Sequence, residues 1–151
     1  GQSPSTVTVS WDSAGRWFVS LLCEDTIAPG PVTTAAVGID AGLDHLVTLS
    51  TGEKVANPRH ERADRLRLAR AQRELARKDK GSANRAKARL TVARVHARIT
   101  DRRRDTLHKL TTRLVRENQT IVIEDLAVRN MVKNHRLARA ISDAAWHDFR
   151  S

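Results

Sequence analysis

The sequence predicts a mixed α/β fold in which three strands precede a pair of helices and a fourth strand follows them. Three observations carry that expectation. Val37-Gly38-Ile39-Asp40-Ala41-Gly42 and Ile121-Val122-Ile123-Glu124-Asp125-Leu126 are apolar, β-branched runs, each ending on an acidic residue. From about His60 to Glu117 the apolar residues recur at helical spacing within a strongly basic stretch. The strand-like segments before His60 are joined by connections short enough for antiparallel neighbours.

The elements follow in order. Residues 6–10 and 16–23 read as two strands, and Asp12-Ser13-Ala14-Gly15 supplies the turn of a β-hairpin. Ile27 to Thr34, with Pro29-Gly30-Pro31, is a linker that continues neither strand, so a domain boundary is expected near residue 33. Ala35–Asp40 reads as a central strand, apolar on both faces. His45–Ser50 is a second strand through Leu46, Val47 and Leu49, and Thr51-Gly52 turns the chain into a short third one around Lys54-Val55. Leu68, Ala71 and Leu75 mark the apolar stripe of a first helix ending near Lys78. Asp79-Lys80-Gly81-Ser82 breaks it, and Ser82 caps a second helix from Ala83 to about Glu117. That helix carries Val92, Val95, Ile99, Thr106, Leu110 and Leu114 along one side, and would be roughly 50 Å long at 1.5 Å per residue. Together the two helices read as an antiparallel hairpin, a long basic arm over residues 59–118. Asn118 stops the second helix, Thr120–Glu124 is the fourth strand, and residues 126–151 read as mostly helical, with Ser142 or Asp143 able to cap a last short helix. Three strands, helix, then a parallel-capable strand is the sheet order of a ribonuclease-H-like fold.

Composition narrows the function. The 151 residues are the size of one domain, and no apolar run approaches the roughly 20 residues that span a bilayer. No signal-peptide pattern opens the chain, so a cytoplasmic protein is expected; opening on Gly1 rather than Met suits a piece of something longer. The single cysteine, Cys23, excludes an internal disulfide and a cysteine-based zinc site within these residues. A formal charge of +10 points to a polyanionic partner. Its distribution says more: residues 59–116 hold 20 Lys and Arg against 6 Asp and Glu, whereas the remainder holds 7 against 11. A basic grip on nucleic acid therefore stands apart from a separate acidic region.

The two strand-end carboxylates are the candidate chemistry. A carboxylate at the mouth of a buried strand is costly unless cations or hydrogen bonds compensate it. Asp40 and Glu124 meet if their strands lie side by side in a parallel pair, which is how a two-metal nuclease holds divalent ions. The alternatives are structural: Asp40 as a strand-end turn residue, and Glu124 as a helix-start residue. Asp125 rivals Glu124, since strand side chains alternate and only one of the two faces a site from the strand. Asp44 and Asp143 read as a turn residue and a helix cap. Arg62, Arg65, Arg73, Arg77, Arg102, Arg103 and Arg104 are candidate phosphate contacts rather than base readers, set against a solvated charged face. Trp11, Trp17 and Trp146 read as core, and His45, His96, His108 and His147 have no metal-ligand spacing.

Taken together, these motifs resemble the TnpB (OrfB) proteins of bacterial insertion sequences, relatives of the type V CRISPR effector nucleases. The resemblance covers nearly the whole chain. Val7–Cys23 is similar to the end of the family's N-terminal β-barrel (wedge) domain, which gives residues 1–33 as that domain's end and 34–151 as a partial RuvC-like domain. Gly38-Ile39-Asp40-Ala41-Gly42-Leu43 matches the first RuvC motif, and Ile121–Leu126, preceded by Glu117-Asn118, the second. Leu49-Ser50-Thr51-Gly52, Arg102-Arg103-Arg104-Asp105, Leu107-His108-Lys109-Leu110 and Ala140–Trp146 are family-like in the same order.

The resemblance implies a RuvC-like, RNA-guided DNA endonuclease linked to transposition. Asp40 and Glu124 become the first two carboxylates of a Mg²⁺ (or Mn²⁺) site, with DNA and a guide RNA as partners and no membrane. The family's third acidic residue and its zinc ribbon belong to later motifs, beyond Ser151. Two other readings stay open: a non-catalytic nucleic-acid-binding fragment acting through its basic arm, and an actin-like ATPase-fold domain, whose phosphate loop also opens on Gly-x-Asp-x-Gly.

Overall fold

A computed structural model describes residues 3–26, 28, 30 and 32–150, without the side chains of His147 and Arg150. The chain is mixed α/β with a mixed sheet and one long helix, as its patterning predicts. Of the expected linker, Ile27, Pro29 and Pro31 lie outside the described residues. The chain divides into two compact units, Gly1–Pro29 with Asp64–Arg98, and Gly30–Ala63 with Ile99–Ser151.

In the first unit β1 (Thr6–Trp11) pairs antiparallel with β2 (Trp17–Leu22), Thr6 opposite Leu22 and Trp11 opposite Trp17. The turn is made by Asp12, whose carboxylate accepts from the amides of Ala14 and Arg16, both at 2.9 Å, and from Arg16 Nε at 2.8 Å. Trp11 and Trp17 are not core residues: both are exposed, and they stack on each other with ring centroids 5.9 Å apart. They sit at the turn end of an isolated two-stranded ribbon, which has no second layer to bury them among the described residues of this unit. The turn itself is anchored. Ala14 is buried and accepts from Arg94 Nε, and Gly15 (φ +78°) leaves only 3.3 Å between an added Cβ and Leu90.

Helix α1 (His60–Ala76) and helix α2 (Ala83–Glu117) both run from one unit into the other. Within the first unit they are antiparallel, since Asp64 pairs with Arg98 at one end and Arg85 donates to the Leu75 and Lys78 carbonyls at the other. Ser82 caps α2 as expected, accepting the Arg85 amide at 3.1 Å.

The second unit holds a four-stranded sheet in the order β5 (Lys54–Ala56), β4 (His45–Leu49), β3 (Ala36–Ala41), β6 (Thr120–Ile123). The pairs β3–β4 and β4–β5 are antiparallel, and β3–β6 is parallel. One face carries the core: Val37, Ile39, Val47 and Leu49 pack with Leu107, Leu110 and Leu114 of α2, and with Ile141, Ala144, Ala145 and Trp146. The C-terminal part of the stretch read as a long basic arm thus contributes to this core through the apolar stripe of α2. Ile141 and Ala144 belong to α4 (Ala138–Ala144); α3 (Val128–Met131) precedes it and α5 (Trp146–Arg150) follows. The strand β3 is central but not apolar on both faces. Val37 and Ile39 are buried while Asp40 is exposed, so the sheet buries one side of this strand and opens the other.

Candidate active site

Pairing register is what brings the two motifs together. Between β3 and β6 it runs Ala36 to Thr120, Val37 to Ile121, Gly38 to Val122 and Ile39 to Ile123. The next position on each chain is Asp40 and Glu124, at one level and, in a parallel pair, directed to one face. Both carboxylates are exposed and both line a depression of about 410 Å³ on the open side of the sheet. Thr48, directly opposite Asp40 across β3–β4, and Ser50 line it too.

The backbone that carries Asp40 is fixed from both sides. The Gly38 amide donates to Ser50 Oγ at 2.9 Å, and the Ser50 amide donates back to the Gly38 carbonyl at 2.8 Å. After the strand, Gly42 admits a close approach of the chain, since an added Cβ would lie 3.0 Å from the His45 carbonyl oxygen. Neither Thr48 nor Ser50 was a candidate site residue from the sequence, although Ser50 lies in a family-like motif. Their signal is the short β3–β4 connection, which puts residues 48–50 opposite 38–40.

Electrostatically the depression is one-sided. Among the described residues neither the Asp40 nor the Glu124 side chain makes an ion pair or a hydrogen bond, so two carboxylates face the same open space. Such a donor set is all hard oxygen, which suits hard divalent cations such as Mg²⁺ or Mn²⁺. No group of three His, Cys, Asp or Glu side chains able to hold a metal occurs among the described residues. Asp44 is a turn residue, exposed and 3.5 Å from Arg59 Nη2.

The candidate phosphate contacts divide by environment. Arg62, Arg65, Arg73, Arg77, Arg102 and Arg104 are exposed. Arg77 also reaches Glu74 at 3.2 Å. Arg103 points inward: its Nε donates to the Asp143 carbonyl and its Nη2 to the Asp143 carboxylate, both at 3.1 Å. Asp143 does act as a helix cap, but of α1 rather than of a last short helix. It lies within α4 and accepts the Glu61 amide at 2.9 and 3.1 Å.

The model of the OrfB (IS605) family, described as "Probable transposase", matches residues 19–135. A Streptomyces pristinaespiralis protein named "Putative RNA-guided DNA endonuclease" is 76% identical over the whole chain, which spans 38% of that relative. "Putative RNA-guided DNA endonuclease InsQ" of Escherichia coli K12 is 37% identical over 95% of the chain and 40% of its own length. A Mycobacterium tuberculosis H37Rv protein of the same description is 36% identical over 72% of the chain and 26% of its own length. The chain thus spans two fifths or less of the curated relatives it matches.

Proposed function

The chain belongs to the OrfB (IS605) family described as "Probable transposase", and on that premise we propose that it supplies the first two metal-holding carboxylates of an RNA-guided, RuvC-like DNA endonuclease. The observation that carries this reading is the β3–β6 register, which brings Asp40 and Glu124 to one level of one open sheet face. The mixed order β5-β4-β3-β6 with a long helix under one face supports a ribonuclease-H-like fold. The relatives' names support DNA as substrate and RNA as guide.

The reaction is hydrolysis of a DNA phosphodiester: water adds to phosphorus and the 3′-oxygen leaves. A divalent cation, when bound, supplies Lewis-acid stabilisation of charge on the phosphoryl oxygens and a lower pKa for the attacking water. The chain's own part is positional. Asp40, on the central strand, and Glu124 would hold the cations through their carboxylate oxygens. Ser50 fixes the β3 backbone beneath Asp40, and Thr48 shapes the wall beside it. The exposed arginines of the helices hold phosphates.

Two measurements on the chain and on its Asp40→Ala and Glu124→Ala variants test the reading. Mn²⁺ binding, followed by the electron paramagnetic resonance of the free ion, is expected to weaken at least tenfold in each variant. Any Mg²⁺-dependent nicking of supercoiled DNA is expected to vanish with it. Binding unchanged in both variants overturns the assignment. One observation favours a second reading: with no three-ligand group among the described residues, these residues by themselves bind nucleic acid without cutting it. Cation binding at Asp40 and Glu124 without nicking would select that reading. The ATPase alternative draws no support from the family match.

A further inference from the structure

Arg59, ahead of helix α1, suits none of the local requirements of its position. Its carbonyl accepts the Ala63 amide at 3.1 Å, so it is the capping residue before His60. That position favours Ser, Thr, Asp, Asn or Gly. Arginine has no acceptor to offer, and its charge opposes the positive end of the helix dipole. The cap comes from α4 instead, where Asp143 takes the Glu61 amide. Arg59 also stands at φ +47°, a left-handed backbone that residues other than Gly, Asn and Asp rarely adopt.

From this conformation the guanidinium reaches back to the turn that follows Asp40. Arg59 Nη2 donates to the Leu43 carbonyl at 3.4 Å and lies 3.5 Å from Asp44 Oδ1. The same carbonyl accepts from Asn57 Nδ2 at 3.0 Å, so both of its lone pairs are engaged. Asn57 Oδ1 in turn accepts the Arg59 amide at 3.1 Å, and Pro58 between the two residues has its φ fixed by the ring. Asn57 and Arg59 thus make a short, stiff clamp on one carbonyl. Leu43 packs against the core of the sheet, and the Gly42 amide closes the turn on the Leu46 carbonyl at 3.3 Å. Ahead of Asp40, the Ser50 hydroxyl holds the Gly38 amide; behind it, the clamp holds Leu43. The strand end is tied on both sides of a carboxylate that is itself left open.

We infer that Arg59 is a positioning residue for the proposed reaction: through the Leu43 carbonyl it fixes the turn behind Asp40, and so the direction of that carboxylate. The inference rests on the reading of Asp40 as a cation ligand. A residue that breaks local preferences without local compensation points to a place where the fold is held to a set geometry. A carboxylate that shares cations with a second one must keep its place to within about 0.5 Å, which calls for support behind it. The sign of the effect separates this role from simple electrostatics. The charge of Arg59 repels a cation, so losing that charge alone tightens cation binding, whereas losing the clamp weakens it.

The test compares the chain with its Arg59→Asn variant. Asparagine removes the guanidinium, tolerates the left-handed backbone and suits the capping position. Three quantities are read: the thermal midpoint, amide hydrogen exchange at Gly42, and Mn²⁺ affinity from the electron paramagnetic resonance of the free ion. The midpoint is expected to stay level or rise, because the local conflicts are relieved. Gly42 exchange is expected to accelerate about tenfold while the amides of β4 keep their protection. Mn²⁺ binding is expected to weaken about tenfold, the usual cost of losing support behind a ligand. A residue that served stability alone could not give a level midpoint and a weaker site together. Asn57→Ala, which removes the other donor to Leu43, is expected to move exchange and binding in the same direction. Unchanged or tighter Mn²⁺ binding in Arg59→Asn overturns the inference. So does unaltered Gly42 exchange, or a loss of binding matched by a lower midpoint. Asp40→Ala and Glu124→Ala serve as references. If they bind Mn²⁺ as the parent does, the reading of the two carboxylates fails and this inference with it. If they lose binding and Arg59→Asn keeps it, only the role of Arg59 fails.

Discussion

Asp143 accepts the Glu61 amide at the start of α1 and receives the Arg103 guanidinium from α2, so one carboxylate joins three helices of the second unit. His60 Nε2 to Thr106 Oγ1 at 2.9 Å runs beside it. Both side chains of the Arg103–Asp143 pair are largely buried, at 22% and 7% exposure, so removing one partner strands a charge. Arg103→Ala is expected to lower unfolding stability by about 3 kcal/mol in urea titrations, whereas exposed Arg104→Ala changes it by no more than about 0.5 kcal/mol. Equal effects would show that the Asp143 network contributes nothing. Residues of this kind explain where sequence reading stopped. Asp40 and Glu124 stand out because each closes an apolar run; Arg103 sits in a run of three arginines, and its partner is 40 positions away. Nothing local distinguishes it from Arg102 or Arg104.

At the scale of elements, periodicity identified the strands and helices to within a residue or two, and Ser82 and Asn118 marked the ends of α2. What periodicity does not carry is the neighbour. The stripe through Leu107, Leu110 and Leu114 looks the same whether it meets a sheet or a second helix, and Trp11 and Trp17 look like core until the ribbon that bears them proves to be two strands wide. A link between elements gives a pH signature. Arg113 of α2 donates to both oxygens of Glu53, in the turn between β4 and β5, at 2.8 and 3.0 Å. The hydrogen bonds from that guanidinium hold the Glu53 carboxyl below the ordinary glutamate range, with desolvation opposing them. The folded-state pKa being depressed, the contribution is present above the unfolded value and is lost as pH falls through the folded one. Comparison of wild type with Glu53→Gln should show a stability difference above about pH 5 that shrinks below about pH 4. A difference that grows on acidification would contradict the assigned direction.

Over the whole molecule, the separation of charge is the property that composition made most legible. A basic helical stretch and two lone carboxylates occupy different parts of the chain, and among the described residues no helix is long and apolar enough to cross a membrane. The central claim remains that Asp40 and Glu124 hold one set of cations. A crystal structure of the chain grown with Mn²⁺, with anomalous scattering collected at the manganese edge, tests it most directly. The expected result is manganese density between the two carboxylates, with an oxygen of each about 2.1 Å from an ion. Manganese bound elsewhere, or carboxylates more than about 10 Å apart, would contradict it, since no shared two-metal site spans that gap.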